Sequence, residues 1–492
     1  MKTYTHDLNP RAPRSSQQLT ARGRKRTKVV ATLGPGCDDD NILRAMYHAG
    51  MNIARFNMSH GDHETHSLRL EQIRRLNHEL DRPVGVLVDL QGPKIRLTRF
   101  KGGSAPWPEG HRTIITTEDM GEGDAERIGC TYKELHQDVR AGSTILIDDG
   151  RLRLQVISVD GRDVHCEVLV GGEAKSSKGV NLPGVEVSAP SLTDKDKADL
   201  TWALSNEADY VALSFVRSAQ DIRNLRRRIA ESGRSLPIIA KIERPEAVQD
   251  MDEIIIAADG IMVARGDLGI EISSERLPAV QKHLIARANA HGKLVITATQ
   301  MLESMITSPI PTRAETSDVA NAIFDGTDAV MLSAETAAGK YPAEAVEEMM
   351  RISVAAEDSP YLTITELDPA LVSSQRMSHA LASAAAHLAD NINARAVMVF
   401  SHGSEKSLLL SKLRATKART ICMCYDDATW RRVSLFYGTI PLRIDYHDDP
   451  SDLLEKGIAE ALRQKVVSQG EMVVALMGFA SDTASAIKVV RV

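Results

Sequence analysis

Seven apolar stretches of this chain end in residues able to do chemistry. Arg55 is followed by Asn57 and Ser59; Asp89 and Ser214 close two more stretches; Lys241 has Glu243 next but one. Further on come Arg265 with Asp267, Thr297 with Thr299, and Ser333 with Glu335. A single polar residue ending a strand is ordinarily a cap or a turn former. Seven in succession need another reason, because tips of neighbouring strands converge on one mouth. Arg, Lys, Glu, Asp and Thr gathered there suit a phosphate bound together with a divalent metal. Mg²⁺ is a hard cation that takes carboxylate and phosphate oxygens, usually with one or two protein carboxylates. Glu243 and Asp267 are the best pair for it.

The elements that must position these residues follow from the pattern around them. Short β-branched runs alternate with helical ones from Thr27, which predicts repeated βα units and a parallel sheet. The strands are expected at Lys28–Thr32, Asn52–Arg55, Gly85–Asp89, Tyr210–Ser214, Ile238–Lys241, Gly260–Val263, Leu294–Thr297 and Ala329–Leu332. Eight near-continuously apolar strands, covered on both faces, predict a (β/α)₈ barrel whose active site lies at the strands' carboxyl ends. Between the third and fourth strands lies a gap too long for one connection. It reads as a β-rich insertion, with strands at Thr144–Ile147, Leu152–Val159 and Val164–Val170 and turns at Asp149-Gly150 and Asp160-Gly161. Pro93 and Pro190 sit near its two linkers. A second α/β pattern follows, with helices at Ser378–Ala389, Glu405–Ala415, Thr429–Tyr437 and Ser451–Lys465. Its strands are Ala396–Ser401, Thr420–Cys424, Pro441–Ile444, Met472–Met477 and an edge strand at Ile487–Val492. The predicted domains are a tail over 1–24, a catalytic barrel over 25–91 and 190–366, a lid over 92–189, and a C-terminal α/β regulatory domain with a mainly parallel sheet over 367–492.

Composition narrows the class. A chain of 492 residues with 43% hydrophobic and 26% charged content is ordinary for soluble globular domains, and a net charge of −6 argues against a surface built for nucleic acid. Five cysteines, odd in number and without CxxC spacing, suit a reducing compartment and neither a disulfide framework nor a zinc site. No apolar run is long enough to span a membrane. The basic N-terminal stretch lacks a secretory apolar core and reads as a mobile tail of a cytoplasmic protein.

Several motifs then resemble the pyruvate kinase family. Asn52-Ile53-Ala54-Arg55-Phe56-Asn57-Met58-Ser59-His60-Gly61 resembles the family's motif at barrel strand two. Asp89-Leu90-Gln91-Gly92-Pro93-Lys94-Ile95-Arg96 is similar to its lid entrance, and Lys178-Gly179-Val180-Asn181-Leu182-Pro183-Gly184 to its lid exit. Lys241-Ile242-Glu243, Ala264-Arg265-Gly266-Asp267-Leu268-Gly269, Ala298-Thr299-Gln300-Met301-Leu302-Glu303-Ser304-Met305 and Met331-Leu332-Ser333-Ala334-Glu335-Thr336 complete the set. The likeness runs in order from about Lys25 to Pro342; beyond that it is one of organisation.

The resemblance implies transfer of a phosphoryl group from phosphoenolpyruvate to ADP, giving pyruvate and ATP. It implies that Glu243 and Asp267 hold Mg²⁺ or Mn²⁺, that Lys241 stabilises the enolate, that Arg55 clamps the phosphoryl group, and that Thr299 orients substrate. Ser214 and Gly266 join them around the substrate. Pro35, Asn57, His60, Arg96 and Lys178 are implied at the nucleotide. The family's potassium ligands resemble Asn57, Ser59, Asp89 and the Leu90 carbonyl. Many members carry glutamate where this chain has Lys94, whose ammonium could replace the cation, so K⁺ is not expected to be required. A homotetramer and a phosphorylated allosteric effector are also implied. The loop Ser401-His402-Gly403-Ser404-Glu405-Lys406-Ser407, between an apolar strand and a helix, is the effector candidate; Glu405 weakens the match, and helix capping alone is the alternative.

Other signals point to structure. His60, His63 and His66 lack the HExxH order and read as a solvated helix face. No GxxxxGK[ST] loop exists, and Gly34-Pro35-Gly36 reads as a βα turn. Cys422 with Cys424, and the pairs Met301/Met305 and Met349/Met350, read as core, the methionines on helices. The rival function is another barrel enzyme of phosphoenolpyruvate or pyruvate, of the aldolase or lyase type; it has no need of the lid or of Lys178. A non-catalytic RNA-binding protein would leave the whole ring of strand-end residues idle.

Overall fold

The computed structural model describes residues 25–362, 367–368, 370, 376–414, 418–478 and 485–492; the tail expected over 1–24 lies outside them. All eight barrel strands form, at Lys28–Thr32, Ile53–Asn57, Gly85–Asp89, Tyr210–Leu213, Ile238–Ile242, Gly260–Ala264, Leu294–Ala298 and Ala329–Leu332. They close into a barrel in the order one, eight, seven, six, five, four, three, two. Every strand but the second is buried at each position, as a sheet covered on both faces requires. The one less buried residue is Asn57, at the carboxyl tip of strand two.

The chain divides into two compact units: Phe56–Leu68 with Val86–Thr299, and Met1–Arg55 with Arg69–Gly85 and Gln300–Val492. The first holds barrel strands three to seven and the insertion. That insertion is a six-stranded sheet in the order Val180–Asn181, Thr144–Ile147, Leu152–Asp160, Asp163–Val170, Arg112–Thr116, Arg127–Gly129. A two-stranded ribbon of Ser104–Trp107 and Gly172–Lys175 lies beside it in the chain. It has its own core around Phe100, Trp107, Ile115, Ile145, Leu154 and Cys166. The turn at Asp149-Gly150 forms with Asp148, Asp149 and Gly150 at φ of 52°, 58° and 83°, a left-handed run that Asp and Gly tolerate best.

In the other unit, strand one pairs in parallel with strands eight and two. The C-terminal sheet runs Thr439–Arg443, Arg419–Cys424, Ala396–Phe400, Met472–Gly478, Ser485–Arg491, and only the last pairing is antiparallel. Helices Arg376–Asn391 and Glu405–Leu413 cover one face, and Pro450–Arg463 the other. The helix expected over 429–437 is instead Asp427–Arg432 followed by a 3-10 turn, because Asp426 caps it by accepting from the Thr429 amide. Met301 and Met305 are buried, but not on an α-helix: Met305 lies in the 3-10 turn Glu303–Ile306, and Met301 precedes it in an irregular bend. Met349 and Met350 are helical core, and Cys422 and Cys424 are buried with their sulfurs 3.8 Å apart.

Candidate active site

Strands three, four and five lie side by side, with Asp89 level with Ala212 and Leu213 level with Ala240. That register sets Asp89, Ser214 and Lys241 at adjacent tips. The Lys241 ammonium donates to Ser214 Oγ at 2.7 Å and lies 2.8 Å from Glu243 Oε1 and 3.2 Å from Asp89 Oδ1. Ser214 Oγ in turn donates to the Leu90 carbonyl at 2.7 Å. Asp89, Ser214, Lys241 and Glu243 are all buried. A long lysine side chain held on three sides loses the freedom that ordinarily blurs its charge.

Glu243 is the most constrained of these groups. Its Oε2 accepts from the Phe215 amide at 2.8 Å, and Phe215 is turned into the left-handed region at φ 54°. Burial pushes the Glu243 carboxyl up from its ordinary value; Lys241 opposes this, while the Asp267 charge adds to it. A buried carboxylate whose charge is disfavoured by burial and by a neighbouring carboxylate fits a divalent cation that would relieve it. No cluster of three or more His, Cys, Asp or Glu able to hold a metal occurs among the described residues. Two carboxylates are what Mg²⁺ uses when a substrate supplies the remaining oxygens.

Asp267 sits in the first turn of helix Arg265–Glu271, which starts directly after strand six. Opposite it, the Gly266 amide donates to Thr299 Oγ1 at 2.7 Å, and Arg265 Nη2 donates to the Thr299 carbonyl at 2.7 Å. A side chain at 266 would stand 3.4 Å from Thr299 Oγ1. Thr299 and Gln300 have φ of 67° and 53°, a conformation costing on the order of 1–3 kcal/mol each and typical of functional turns.

The nucleotide and monovalent-cation candidates follow the same frame. The Met58 amide donates to the Asp89 carbonyl at 3.0 Å, which brings Asn57 and Ser59 beside strand three, and Asn57 Oδ1 accepts from the Ser59 amide at 3.1 Å. Lys94 is exposed and lines a cleft with Asn181, Arg244, Asp267 and Glu271. Arg96 Nη1 donates to the Ser177 carbonyl at 2.9 Å, and Lys178 pairs with Asp148 at 2.7 Å, so both are held within the insertion. In the other unit, Arg55 is buried and donates to Thr32 Oγ1 at 2.9 Å. Pro35 opens a short 3-10 turn, and Glu335 accepts from the Leu302 and Ser333 amides at 3.2 and 2.7 Å.

The histidine expectation needs correction. Of these three, His63 and His66 lie on the helix His63–Glu79 and His60 does not, and His66 is buried. Helix Asp194–Ser205 covers them: Trp202 stacks on His63 at 5.9 Å and lies 6.0 Å from His66, while Asp199 pairs with His63 at 2.7 Å. His60 precedes the helix, its carbonyl 2.9 Å from His66 Nε2. The local charges had suggested water on this face; the partner helix was not visible in them.

Sequence reading also missed Arg244. It is buried, pairs with Glu271 at 3.2 Å, and donates to the Val185 carbonyl at 2.9 Å, where the insertion returns to the barrel. Its place directly after Glu243 was the available signal. In the C-terminal loop, Ser404 precedes helix Glu405–Leu413 without capping it through its side chain; Lys406 is buried, and its ammonium is 3.5 Å from Ser401 Oγ. Ser407 is buried and Gly403 has φ 75°.

Comparison with known proteins gives consistent relatives. A family model described as pyruvate kinase, barrel domain, matches residues 24–346, and one described as pyruvate kinase, alpha/beta domain, matches 379–492. Pyruvate kinase 2 of Synechocystis is 42% identical over 474 residues, covering 95% of this chain and 79% of the relative. A pyruvate kinase of Staphylococcus aureus is 40% identical, with 92% and 78% covered. The crystal structure of a pyruvate kinase from Cryptosporidium parvum superposes with a TM-score of 0.89 at 35% identity, covering 96% of this chain and 97% of that one.

Proposed function

The chain belongs to the pyruvate kinase family, phosphotransferases that move phosphoryl from phosphoenolpyruvate to ADP, and we propose that Lys241 carries its central catalytic interaction. The supporting observation is the ammonium fixed by Ser214, Asp89 and Glu243 in a buried setting. Phosphoryl transfer needs positioning and neutralisation of charge more than covalent chemistry. A fixed cation in a dry site stabilises charge as it develops without having to reorganise. Lys241 does this for the enolate left when phosphorus departs.

Glu243 and Asp267 would hold Mg²⁺ or Mn²⁺, which when bound offsets negative charge on substrate oxygens. Arg55 takes the phosphoryl oxygens, which its guanidinium fork matches better than an ammonium would. Thr299, with Ser214 and Gly266, orients the substrate. Pro35, Asn57, His60, Arg96 and Lys178 serve the nucleotide. At the group Asn57, Ser59, Asp89 and Leu90, Lys94 supplies the charge that K⁺ supplies in other members. The insertion over 92–189 acts as a lid that excludes water during transfer. ATP formation is the favoured direction, because the released enol becomes the more stable ketone.

The same reading gives the C-terminal domain a phosphorylated effector at Ser401, Gly403, Ser404, Lys406 and Ser407, in a cytoplasmic homotetramer. The central claim is tested by Lys241→Met. We expect turnover to fall by about 10²–10³, the usual cost of one electrostatic donor, in a coupled assay of ADP-dependent pyruvate formation. Glu243→Gln should raise the Mg²⁺ requirement in the same assay. Near-parental turnover in both variants would sink the assignment.

A further inference from the structure

Where the insertion leaves and rejoins the barrel, one buried carboxylate bonds to both of its feet. The chain departs after strand three, whose last residue is Asp89, and returns at helix Asp194–Ser205. Thr193 caps that helix in a reciprocal box. Its Oγ1 accepts from the Asp196 amide at 3.1 Å, while Asp196 Oδ2 accepts from the Thr193 amide at 2.9 Å and from its hydroxyl at 2.6 Å. Such a box needs one acceptor from its third helical residue. Asp196 has a second, Oδ1, which accepts from the Gly92 amide at 3.0 Å, 104 residues away in the chain. Asp196 is wholly buried, and a buried carboxylate is retained only where its oxygens are bonded.

Gly92 lies directly on the tip of strand four. Its φ is 69°, and a Cβ there would stand 2.8 Å from Phe215 Cδ2 and 3.0 Å from Ser214 Cβ, so only glycine allows the approach. Leu90 ties the same two segments: its amide donates to the Ala212 carbonyl at 3.0 Å, and its carbonyl accepts from Ser214 Oγ at 2.7 Å. Ser214 is the residue that receives the Lys241 ammonium, and Phe215 the one whose amide holds Glu243 Oε2. Phe215 reaches that carboxylate only in left-handed backbone, a conformation that persists where the surroundings impose it. Gly92 is part of those surroundings. One line of contacts therefore runs from Asp196 through Gly92 and Phe215 to Glu243.

Resting on the reading above that Glu243 holds the divalent metal, we propose that Asp196 is a positioning residue of the transfer site: through Gly92 and Phe215 it sets the Glu243 carboxylate for the ion. Groups that orient a metal-binding side chain without touching the metal typically change affinity by about 10–100-fold when removed. Asp196→Asn offers one acceptor where the carboxylate offers two, so either the Thr193 or the Gly92 amide is left facing an NH₂ group. Gly92→Ala perturbs the same line at its middle and leaves the helix cap whole. Thr193→Ala removes the cap's hydroxyl, but the amide of residue 193 stays on Oδ2 and that of Gly92 on Oδ1.

The test is Mn²⁺ binding to the full chain, followed by loss of the free ion's electron paramagnetic resonance signal, with a urea midpoint for each variant. Asp196→Asn and Gly92→Ala should each weaken Mn²⁺ by about tenfold. Thr193→Ala should lower the urea midpoint yet bind Mn²⁺ like the parent. Glu243→Gln is the reference for the metal reading itself. If it weakens Mn²⁺ while a folded Asp196→Asn does not, Asp196 acts in folding alone, and the proposal falls with the metal reading intact. If Asp196→Asn folds poorly, Gly92→Ala decides: parental Mn²⁺ binding there overturns the proposal. An equal loss of affinity in Thr193→Ala would trace the effect to general stability and overturn it too. Near-parental binding in Glu243→Gln would remove the metal reading and the proposal together.

Discussion

At the scale of single residues, the two lysines of the candidate site differ in burial and in partners. Lys241 is held by three partners, whereas Lys94 is exposed in the cleft that Asp267 and Glu271 also line. That contrast gives the two lysines different tests. If Lys94 brings the charge otherwise brought by potassium, activity in tetramethylammonium buffer should match that in K⁺ buffer. Lys94→Glu should then lose about tenfold or more in tetramethylammonium and recover with K⁺. Collapse of the parental rate without K⁺ would refute the substitution. The ring of polar strand ends was legible because each follows an apolar run directly. Glu243 and Asp267 could be paired on their types alone. What was not legible is that Phe215 and Thr299 occupy left-handed backbone, since neither residue type announces it. Nor did the charge of the segment holding His63 and His66 reveal Trp202 lying over it.

At the scale of elements, the insertion is anchored where it rejoins the barrel. Arg244 donates to Val185 and pairs with Glu271, and Asn181 Nδ2 reaches the same Glu271 carboxylate at 3.4 Å. Burial raises the Glu271 carboxyl above its ordinary value, with Arg244 the main opposing influence. Removing one partner of a buried pair leaves an uncompensated charge, at about 3–5 kcal/mol, or forces a proton on. Arg244→Met should therefore destabilise the insertion's return segment and expose residues 185–189 to protease. If the insertion closes as proposed, substrate with Mg²⁺ should slow cleavage at both its ends in the parent, and less so in the variant. Unaltered cleavage in Arg244→Met would show that the anchor contributes little. The strands Leu152–Asp160 and Asp163–Val170 could be read from alternation and from turn residues. Ser104–Trp107 and Gly172–Lys175 could not, because Pro106 and two short polar runs hide a ribbon that only its partner completes.

At the scale of the whole molecule, two buried polar links tie the first and last barrel strands to the C-terminal sheet. Asp328, just before strand eight, pairs with both Lys412 and Arg414, and Arg414 lies 4.0 Å over the Tyr437 ring. Lys28, at the start of strand one, donates to the Thr439 carbonyl at 2.7 Å. Both links lie within one compact unit, and the fold shifts the ionisation of one of their groups. Burial, then the Arg82 charge, push the Lys28 ammonium down to about 7, with Glu357 partly opposing. In the unfolded chain a lysine titrates near 10.4. Between those values the unfolded state binds more protons, so this group makes stability rise with pH across roughly 7 to 10. Below 7 both states are charged and the penalty is complete. One proton of difference corresponds to a slope of about 1.4 kcal/mol per pH unit. Lys28→Met removes the titration while keeping most of the side-chain volume, so its urea midpoint should vary less with pH over that window than the parent's. Parallel pH profiles for the two proteins would mean that Lys28 keeps its proton in the fold, and that its link to Thr439 is an ordinary charged hydrogen bond.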